Sequence, residues 1–113
     1  MSAQFVVKSA GGDGAVFTYH DSGRRAVLTS RRFETMGAAQ LGAELVRGSV
    51  AIDDRYERLM ARSGHPYFNL RAADGEIIGT SVMFNSPQER HGAIEAMQHD
   101  APSAAIVTTG ARD

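Results

Sequence analysis

Hydroxyl side chains recur at matching places in the sequence, as the pairs Thr29–Ser30 and Thr80–Ser81. A serine or threonine can act as a nucleophile when a base lies within hydrogen-bonding reach. The sequence carries no Gly-x-Ser-x-Gly and no Ser-x-x-Lys motif, which are two common settings for such a residue. Two copies in equivalent places favour a structural role, with one hydroxyl capping backbone groups and the other packing. We therefore predict no catalytic residue.

The histidines do not have the spacing of a metal site. They occupy positions 20, 65, 91 and 99. A helical ligand pair is typically four residues apart, whereas His91 and His99 are separated by about two helical turns. The glycines of segment 11–14 lack the Gly-x-x-x-x-Gly-Lys spacing of a phosphate loop and precede a predicted strand. The sequence predicts no metal and no cofactor.

Charged residues form two further clusters. Arginines Arg24, Arg25, Arg31 and Arg32 could bind phosphate groups. The strand predicted between the two arginine pairs separates them by roughly 20 Å, so a solvated, charged edge is the favoured interpretation and an anion site the alternative. A second cluster holds the carboxylates of Asp53, Asp54 and Glu57. We interpret it as a charged linker rather than an acid–base pair.

Composition narrows the class of protein. The chain has 113 residues, of which 42% are apolar and 22% charged, a mixture typical of one globular domain. It has no cysteine, and its net charge of −1 is unlike the basic excess of most nucleic-acid-binding proteins. The N-terminal residues are too polar for a signal peptide, and no apolar run approaches the roughly 20 residues of a membrane span. We expect a cytoplasmic protein that binds neither membrane nor nucleic acid.

The sequence repeats itself after a shift of 51 residues, without a gap. The identical or closely similar pairs include Phe5 with Tyr56, Phe17 with Phe68, Thr29 with Thr80, Ser30 with Ser81, Phe33 with Phe84, and Glu44 with Glu95. Two copies are too few for a solenoid. We therefore predict one domain over residues 1–113, built from repeats at about 3–54 and 55–108 that close on each other about a pseudo-two-fold axis, with a flexible tail at 109–113.

Each repeat predicts three strands, a helix and a further strand, because aromatic and β-branched runs alternate with Gly, Asp and Pro turns. The strands are predicted at Gln4–Lys8, Ala15–His20, Arg25–Ser30, Arg55–Ala61, Tyr67–Ala72, Glu76–Ser81 and Ala104–Thr108. Asp21-Ser22-Gly23 and Ala73-Asp74-Gly75 predict hairpin turns. The resulting class is α+β, with two βββαβ-type repeats, a mainly antiparallel sheet and both helices on one face.

Capping signals place the two helices. Thr35 is the predicted N-cap of the first helix, which is expected to run to about Arg47 and stop at Gly48. Ser86, with Pro87 and Glu89 behind it, forms a capping box that starts a helix running to about His99. The inward-facing residues are predicted to be Ala39, Gly42, Ala43 and Val46 in the first helix, and Arg90, Ala93, Ile94 and Met97 in the second.

The second repeat resembles a known family. The segments Asp54-Arg55-Tyr56-Glu57, Tyr67-Phe68-Asn69-Leu70-Arg71-Ala72-Ala73-Asp74-Gly75-Glu76 and Met83-Phe84 resemble the YegP-like proteins, small bacterial proteins of unknown function. The resemblance covers nearly the whole chain and is weaker in the first repeat. It implies a repeated βββαβ unit whose halves share one sheet and exchange their last strands. It brings no established catalytic residues.

The open face of the predicted sheet is the best candidate for function. Alternation points Tyr67, Asn69 and Arg71 to the side without helices, and tyrosine and arginine are enriched at interfaces. We therefore expect a non-enzymatic interaction module that binds a protein partner through these three residues. The alternative is a protein that binds a small molecule or phosphate through the arginines. Because duplication supplies a second repeat within the chain, we expect a monomer.

Overall fold

The computed structural model describes residues 2–109, and within them the chain forms seven strands and two α-helices. The elements are β1 (Gln4–Ser9), β2 (Ala15–His20), β3 (Ala26–Ser30), α1 (Met36–Ser49), β4 (Tyr56–Met60), β5 (Pro66–Arg71), β6 (Ile77–Ser81), α2 (Pro87–Asp100) and β7 (Ala105–Thr109). Short 3-10 turns at Asp53–Arg55 and Ala101–Ser103 precede β4 and β7. Every strand end predicted from the sequence lies within one residue of the observed end.

One sheet contains all of these strands, in the order β4-β5-β6-β3-β2-β1-β7. The neighbouring strands are antiparallel, except that β7 lies parallel to β1 at one edge. At the centre of the sheet, β3 pairs with β6 so that Thr29 lies opposite Thr80. The predicted α+β fold with a mainly antiparallel sheet and two helices is therefore confirmed.

The core lies between the sheet and the two helices. Alternate strand residues point inward, and Phe5, Phe17, Phe68 and Leu70 are completely buried. Helix α1 packs on β1 and β2, and α2 packs on β5, so both helices cover the same side of the sheet. The ring of Phe17 stacks on that of Phe33, at 6.1 Å between centroids. The rings of Phe68 and Phe84 stack in the same way, at 6.2 Å between centroids. We call the other side, without helices, the open face.

Helix α1 begins and packs as predicted but ends later. The Thr35 hydroxyl accepts a hydrogen bond from the Ala38 amide, as an N-cap should. The buried residues are the four predicted from periodicity. A Cβ built on Gly42 would lie 2.6 Å from Cζ of Phe33, so this glycine lets the ring pack directly against the helix. The predicted stop at Gly48 is wrong: the helix continues to Ser49 because the buried Val50 packs in the core beyond it.

Helix α2 has the predicted capping box. Ser86 Oγ accepts from the Glu89 amide, and the Glu89 carboxylate accepts from the Asn85 amide. On the predicted inward face, Ile94 and Met97 are buried and Ala93 is partly buried. Arg90 points to the edge of the sheet instead, where its guanidinium donates to the Leu59 carbonyl at 2.8 Å.

The β2–β3 turn has a non-glycine residue at its positive-φ position. The Asp21 carboxylate accepts from the amides of Gly23 and Arg25, which closes the turn. The residue with positive φ is Arg24, at 69°, rather than Gly23. Gly75, at the equivalent place after β5, has φ 89°. Arg24 therefore adopts a conformation that ordinarily favours glycine.

The predicted tail at 109–113 needs one correction. Thr109 is the last residue of β7, where it pairs with Lys8. Residues 110–113 lie outside the described residues.

Candidate interaction surface

One row of side chains crosses the open face from edge to edge, since each member lies opposite the next on the neighbouring strand. The row, called here the cross-strand row, consists of Val107, Val6, Thr18, Thr29, Thr80, Asn69 and Glu57. Thr29 and Thr80 are exposed at its centre. The row is apolar at the β7 end and charged at the β4 end. It therefore offers a partner hydroxyl, carboxylate and aliphatic groups along one line.

The charged end of the row is a hydrogen-bonded network around Glu57. Oε1 of Glu57 accepts from Asn69 Nδ2 at 3.2 Å and from Arg71 Nε and Nη2 at 3.0 and 2.7 Å. Asn69 Oδ1 in turn accepts from the Thr80 hydroxyl at 2.8 Å. Arg71 Nη1 also donates to the Gly75 carbonyl. The network therefore connects three adjacent strands and fixes the orientation of each polar side chain.

Hydrogen bonding also fixes the ionisation of Glu57. The bonds from Asn69 and Arg71, followed by attraction to the Arg71 guanidinium, lower the pKa of this carboxyl below its ordinary value. Glu57 is therefore a carboxylate at neutral pH, paired with a guanidinium that is about one third exposed. A carboxylate held in this way is a poor general base, since its lowered pKa lies far from neutrality.

The three residues predicted for the interaction surface have different environments. Asn69 and Arg71 belong to the Glu57 network, and Asn69 is only 8% exposed. Tyr67 lies beyond the network, opposite Leu59, and is partly exposed. Glu57, predicted to belong to a charged linker, is instead a residue of β4 and the centre of this network. The position of Glu57 could have been predicted from the sequence by combining strand alternation with the register of the β4–β5 hairpin, because that register sets Glu57 opposite Asn69.

The equivalent end of the first repeat is built differently. Thr18 and His20 replace Asn69 and Arg71, with the Thr18 hydroxyl 2.9 Å from Nε2 of His20. A concavity of about 550 Å³ lies beside them, lined among others by Gln4, His20 and Arg24. The two ends of the open face therefore offer different chemistry on the same backbone frame.

The four arginines of the predicted anion site are held in separate environments. Arg32 donates to the carbonyls of Ala10 and Gly11, at 2.6 and 2.8 Å, and so closes the β1–β2 turn. The guanidiniums of the next two lie over aromatic rings: Arg31 is 4.4 Å from the centre of the Phe33 ring, and Arg25 is 5.3 Å from that of Phe84. Arg24 lies in the β2–β3 turn.

The recurring serines have the backbone role predicted for one hydroxyl of each pair. Ser30 Oγ accepts from the Phe17 amide at 2.9 Å and donates to the following carbonyl at 2.7 Å. Ser81 makes the same two bonds at the same distances, with Phe68 as donor. Within residues 2–109, no group of three or more acidic or histidine side chains has the geometry to hold a metal ion. No helix in that range has the length and apolar character needed to cross a bilayer.

Comparison with known proteins gives the family. A UPF0339 protein of Bordetella pertussis is 38% identical over 104 residues, which cover 92% of this chain and 93% of that protein. The chain belongs to the UPF0339 family. The UPF0339 protein YegP of Escherichia coli O157:H7 is 30% identical over 103 residues, covering 91% of this chain and 83% of that protein. The predicted YegP-like resemblance is therefore confirmed.

Two solved structures of the family share the fold. The solution NMR structure of a UPF0339 protein from Shewanella oneidensis has a TM-score of 0.87 at 30% identity, covering 96% of this chain and 92% of that one. The NMR structure of YegP from E. coli, a protein of unknown function, has a TM-score of 0.88 at 27% identity, covering 99% of this chain and 97% of that one. Residues 61–107 match the family described as "Domain of unknown function (DUF1508)". The family is thus uncharacterised, and it has no known catalytic activity.

Proposed function

We propose that this protein is a non-enzymatic interaction module that binds a protein partner through the open face of its sheet. The observation that carries the proposal is the cross-strand row, which places hydroxyls, a fixed carboxylate–guanidinium pair and aliphatic side chains on a continuous surface without a covering element in residues 2–109. Rigid, pre-oriented polar groups lose little conformational entropy on binding. Tyr67 adds an aromatic side chain of a type that often dominates interface energetics.

The proposal that the protein is not an enzyme rests on the roles of its reactive groups. The two recurring serines, Ser30 and Ser81, direct their hydroxyls to backbone partners. Glu57 is held as a carboxylate by Arg71. A cytoplasmic location and a monomeric state stay predictions from the sequence.

We also infer that the chain is two copies of one unit, related by a pseudo-two-fold axis through the β3–β6 pair. The pairing of that central ladder supports this inference, since Leu28 opposite Ser81 and Ser30 opposite Gly79 are exchanged by the 51-residue shift. The hairpin registers support it too: β1 pairs with β2, and β4 with β5, at the same offset.

Affinity capture from a bacterial lysate, with nuclease treatment, tests the open-face proposal. The informative variant is Tyr67→Ala with Thr29→Lys, which changes only exposed or partly exposed side chains of the face. The matched control is Gln40→Lys with Gln88→Lys, on the exposed sides of the two helices. We expect a stoichiometric protein partner with wild type and control, and none with the face variant. Equal capture by all three proteins would contradict the proposal.

The alternative function, binding of a small anionic ligand, is favoured by the concavity beside His20 and Arg24. Arg24 is held there at positive φ, and backbone strain of this kind is often found at ligand sites. A phosphate ligand at 100 times its Kd would add about 2.7 kcal/mol to the free energy of unfolding. Thermal unfolding with inorganic phosphate and with a nucleoside monophosphate measures this stabilisation. An unchanged Tm for wild type, or an equal Tm shift for Arg24→Ala, would contradict anion binding at the concavity.

A further inference from the structure

The two hairpins that carry β1 and β4 have different neighbours at their outer edges. Strand β1 is covered by β7, which runs parallel to it from Gln4 opposite Ala105 to Lys8 opposite Thr109. Strand β4 has the equivalent place in the second half of the chain, and it ends the sheet on that side. Within residues 2–109, no strand covers its outer edge. If the two halves were fully equivalent, the sheet would have an eighth strand beside β4, in the place that β7 has beside β1.

Hydrogen-bond directions identify which backbone groups of β4 face this edge. The Phe68 amide donates to Ser81 Oγ, on the β6 side, so it points away from β4. Arg58 lies opposite Phe68, and the two therefore form a pair without mutual backbone hydrogen bonds. By alternation, the C=O group of Tyr56 and the N–H and C=O groups of Arg58 and Met60 point to the outer edge. The Tyr56 amide donates instead to the Asp53 carbonyl.

The same directions hold at the edge that β7 covers. Val7 lies opposite Phe17, whose amide donates to Ser30 Oγ and so points away from β1. The N–H and C=O groups of Val7 therefore face β7, where Val7 lies opposite Thr108. At the covered edge, the outward backbone groups of β1 therefore form hydrogen bonds with a parallel strand, β7.

We propose that the outer edge of β4 binds an extended segment of a partner protein, which adds an eighth strand parallel to β4. The proposal uses the equivalence of the two halves inferred above. It concerns the sheet edge and is independent of a partner on the open face. The occupant is a strand with the chemistry of β7, modified where the second half differs from the first.

Transfer of the β7 register to β4 defines the side chains that this segment should carry. Ile106 lies opposite the buried Phe5 and packs against the core, so a β-branched apolar residue belongs opposite Tyr56. Val107 lies opposite Val6, whose equivalent is Glu57. All the described hydrogen bonds to Glu57 end on Oε1, so Oε2 retains acceptor capacity on the open face. A lysine or arginine therefore belongs opposite Glu57.

The charges of β4 disfavour a second copy of the chain as the occupant. In an antiparallel β4–β4 pair, the register centred on Arg58 sets two arginines opposite each other, and the register centred on Glu57 sets two glutamates opposite each other. Like charges in directly opposed positions destabilise a sheet. The register centred on Leu59 runs into the β4–β5 turn at Ala61, which leaves few residues to pair.

The test uses the full chain and a defined probe, the blocked peptide Ala-Ile-Lys-Thr-Thr, followed by NMR titration and amide exchange. We expect the amides of Arg58 and Met60 to become protected. A peptide with glutamate in place of lysine should bind several-fold more weakly. Methylation of the lysine backbone nitrogen should abolish binding, because in the transferred parallel register this amide donates to β4.

Proline at position 58 tests the edge from the side of the protein. Arg58→Pro removes the outward N–H, and an edge strand tolerates proline where that group faces solvent. Arg58→Ala keeps the N–H, and both variants lose the ion pair with Asp53, at 2.9 Å, so they differ mainly in the backbone. We expect Arg58→Ala to bind the peptide nearly as wild type does, and Arg58→Pro to bind at least about tenfold more weakly.

Three outcomes would overturn the proposal. The first is equal binding of the N-methylated and unmodified peptides, a result that stands even if Arg58→Pro does not fold. The second is a set of perturbed amides that lies away from β4. The third is protection of the Arg58 amide without peptide in a concentration-dependent dimer, which would make the occupant a second copy. The Tyr67→Ala, Thr29→Lys variant should still bind the peptide, so the edge and open-face proposals can fail separately.

Discussion

Two buried tyrosines give the most discriminating test of how this core is held together. Both lie on the core side of the sheet, Tyr19 on β2 at 1% exposure and Tyr56 on β4 at 5%. The Tyr56 hydroxyl donates to the Val50 carbonyl at 2.6 Å. The Tyr19 hydroxyl, by contrast, is buried without a hydrogen-bond partner among the described residues. The same substitution, tyrosine to phenylalanine, should therefore change stability in opposite directions.

The magnitudes follow from the cost of burying a polar group. An unpaired hydroxyl in a protein interior costs about 1–3 kcal/mol, so Tyr19→Phe should raise the free energy of unfolding by about 1 kcal/mol. Tyr56→Phe removes a buried bond and leaves the Val50 carbonyl without this donor, so the free energy of unfolding should fall by about 1–2 kcal/mol. For a chain of 113 residues, each kcal/mol corresponds to about 4 °C in Tm.

Alkaline titration adds a second readout to the same pair. Burial, with repulsion from Asp100 and Asp21, raises the pKa of Tyr19 to about 12, and burial also raises the pKa of Tyr56. A tyrosine in the unfolded chain loses its proton near pH 10. The stability from the protonated phenols is therefore complete below about pH 10 and falls as the pH rises towards 12. Each phenylalanine variant should show a shallower fall.

Urea unfolding measures both the change in stability at pH 7 and the loss of stability at several values between pH 9 and 11.5. Unchanged m-values serve as the check on two-state behaviour. A Tyr19→Phe variant that loses as much stability as Tyr56→Phe would refute the assignment of an unpaired hydroxyl. An unchanged alkaline slope in both variants would refute the attribution of the raised pKa values to burial in the folded state.

Further predictions concern the network and the helices. Since the pKa of Glu57 is lowered, its contribution to stability is present above about pH 4.3 and is lost as the pH falls through the lowered value; Glu57→Gln should show a shallower acid limb in urea unfolding between pH 6 and 3. Gly42→Ala should destabilise the protein because its Cβ would meet Phe33 at 2.6 Å, whereas Gly48→Ala, in the same helix with nothing within 4 Å, should stabilise it by up to about 1 kcal/mol; equal Tm shifts for the two variants would contradict this. Ser81→Ala should lower the free energy of unfolding by about 1–3 kcal/mol, because it removes the side-chain hydroxyl that accepts from the buried Phe68 amide; an unchanged urea midpoint would argue against that role.

Local features of the sequence determined the elements of this protein. Strand ends, the N-caps of both helices and the inward face of α1 follow from residue types within a few positions of each other, because turns, caps and helical periodicity are short-range effects. The position of Gly42 on the inward face likewise indicated a close packing of α1 against the core. The 51-residue repeat predicted one domain of two similar halves, and the pseudo-two-fold relation between them stays a proposal.

Tertiary structure alone decided where the polar groups act. The sequence predicts a charged linker at Glu57, whereas the register that sets Glu57 opposite Asn69 and near Arg71 makes it the centre of the charged network. Gly48 did not stop α1, because the packing of Val50 outweighed a local preference. The pairing of β7 with β1 joins segments at opposite ends of the chain, and among residues 2–109 it leaves the outer edge of β4 without a covering strand. Such contacts depend on the summed geometry of the whole sheet, which no short stretch of sequence encodes.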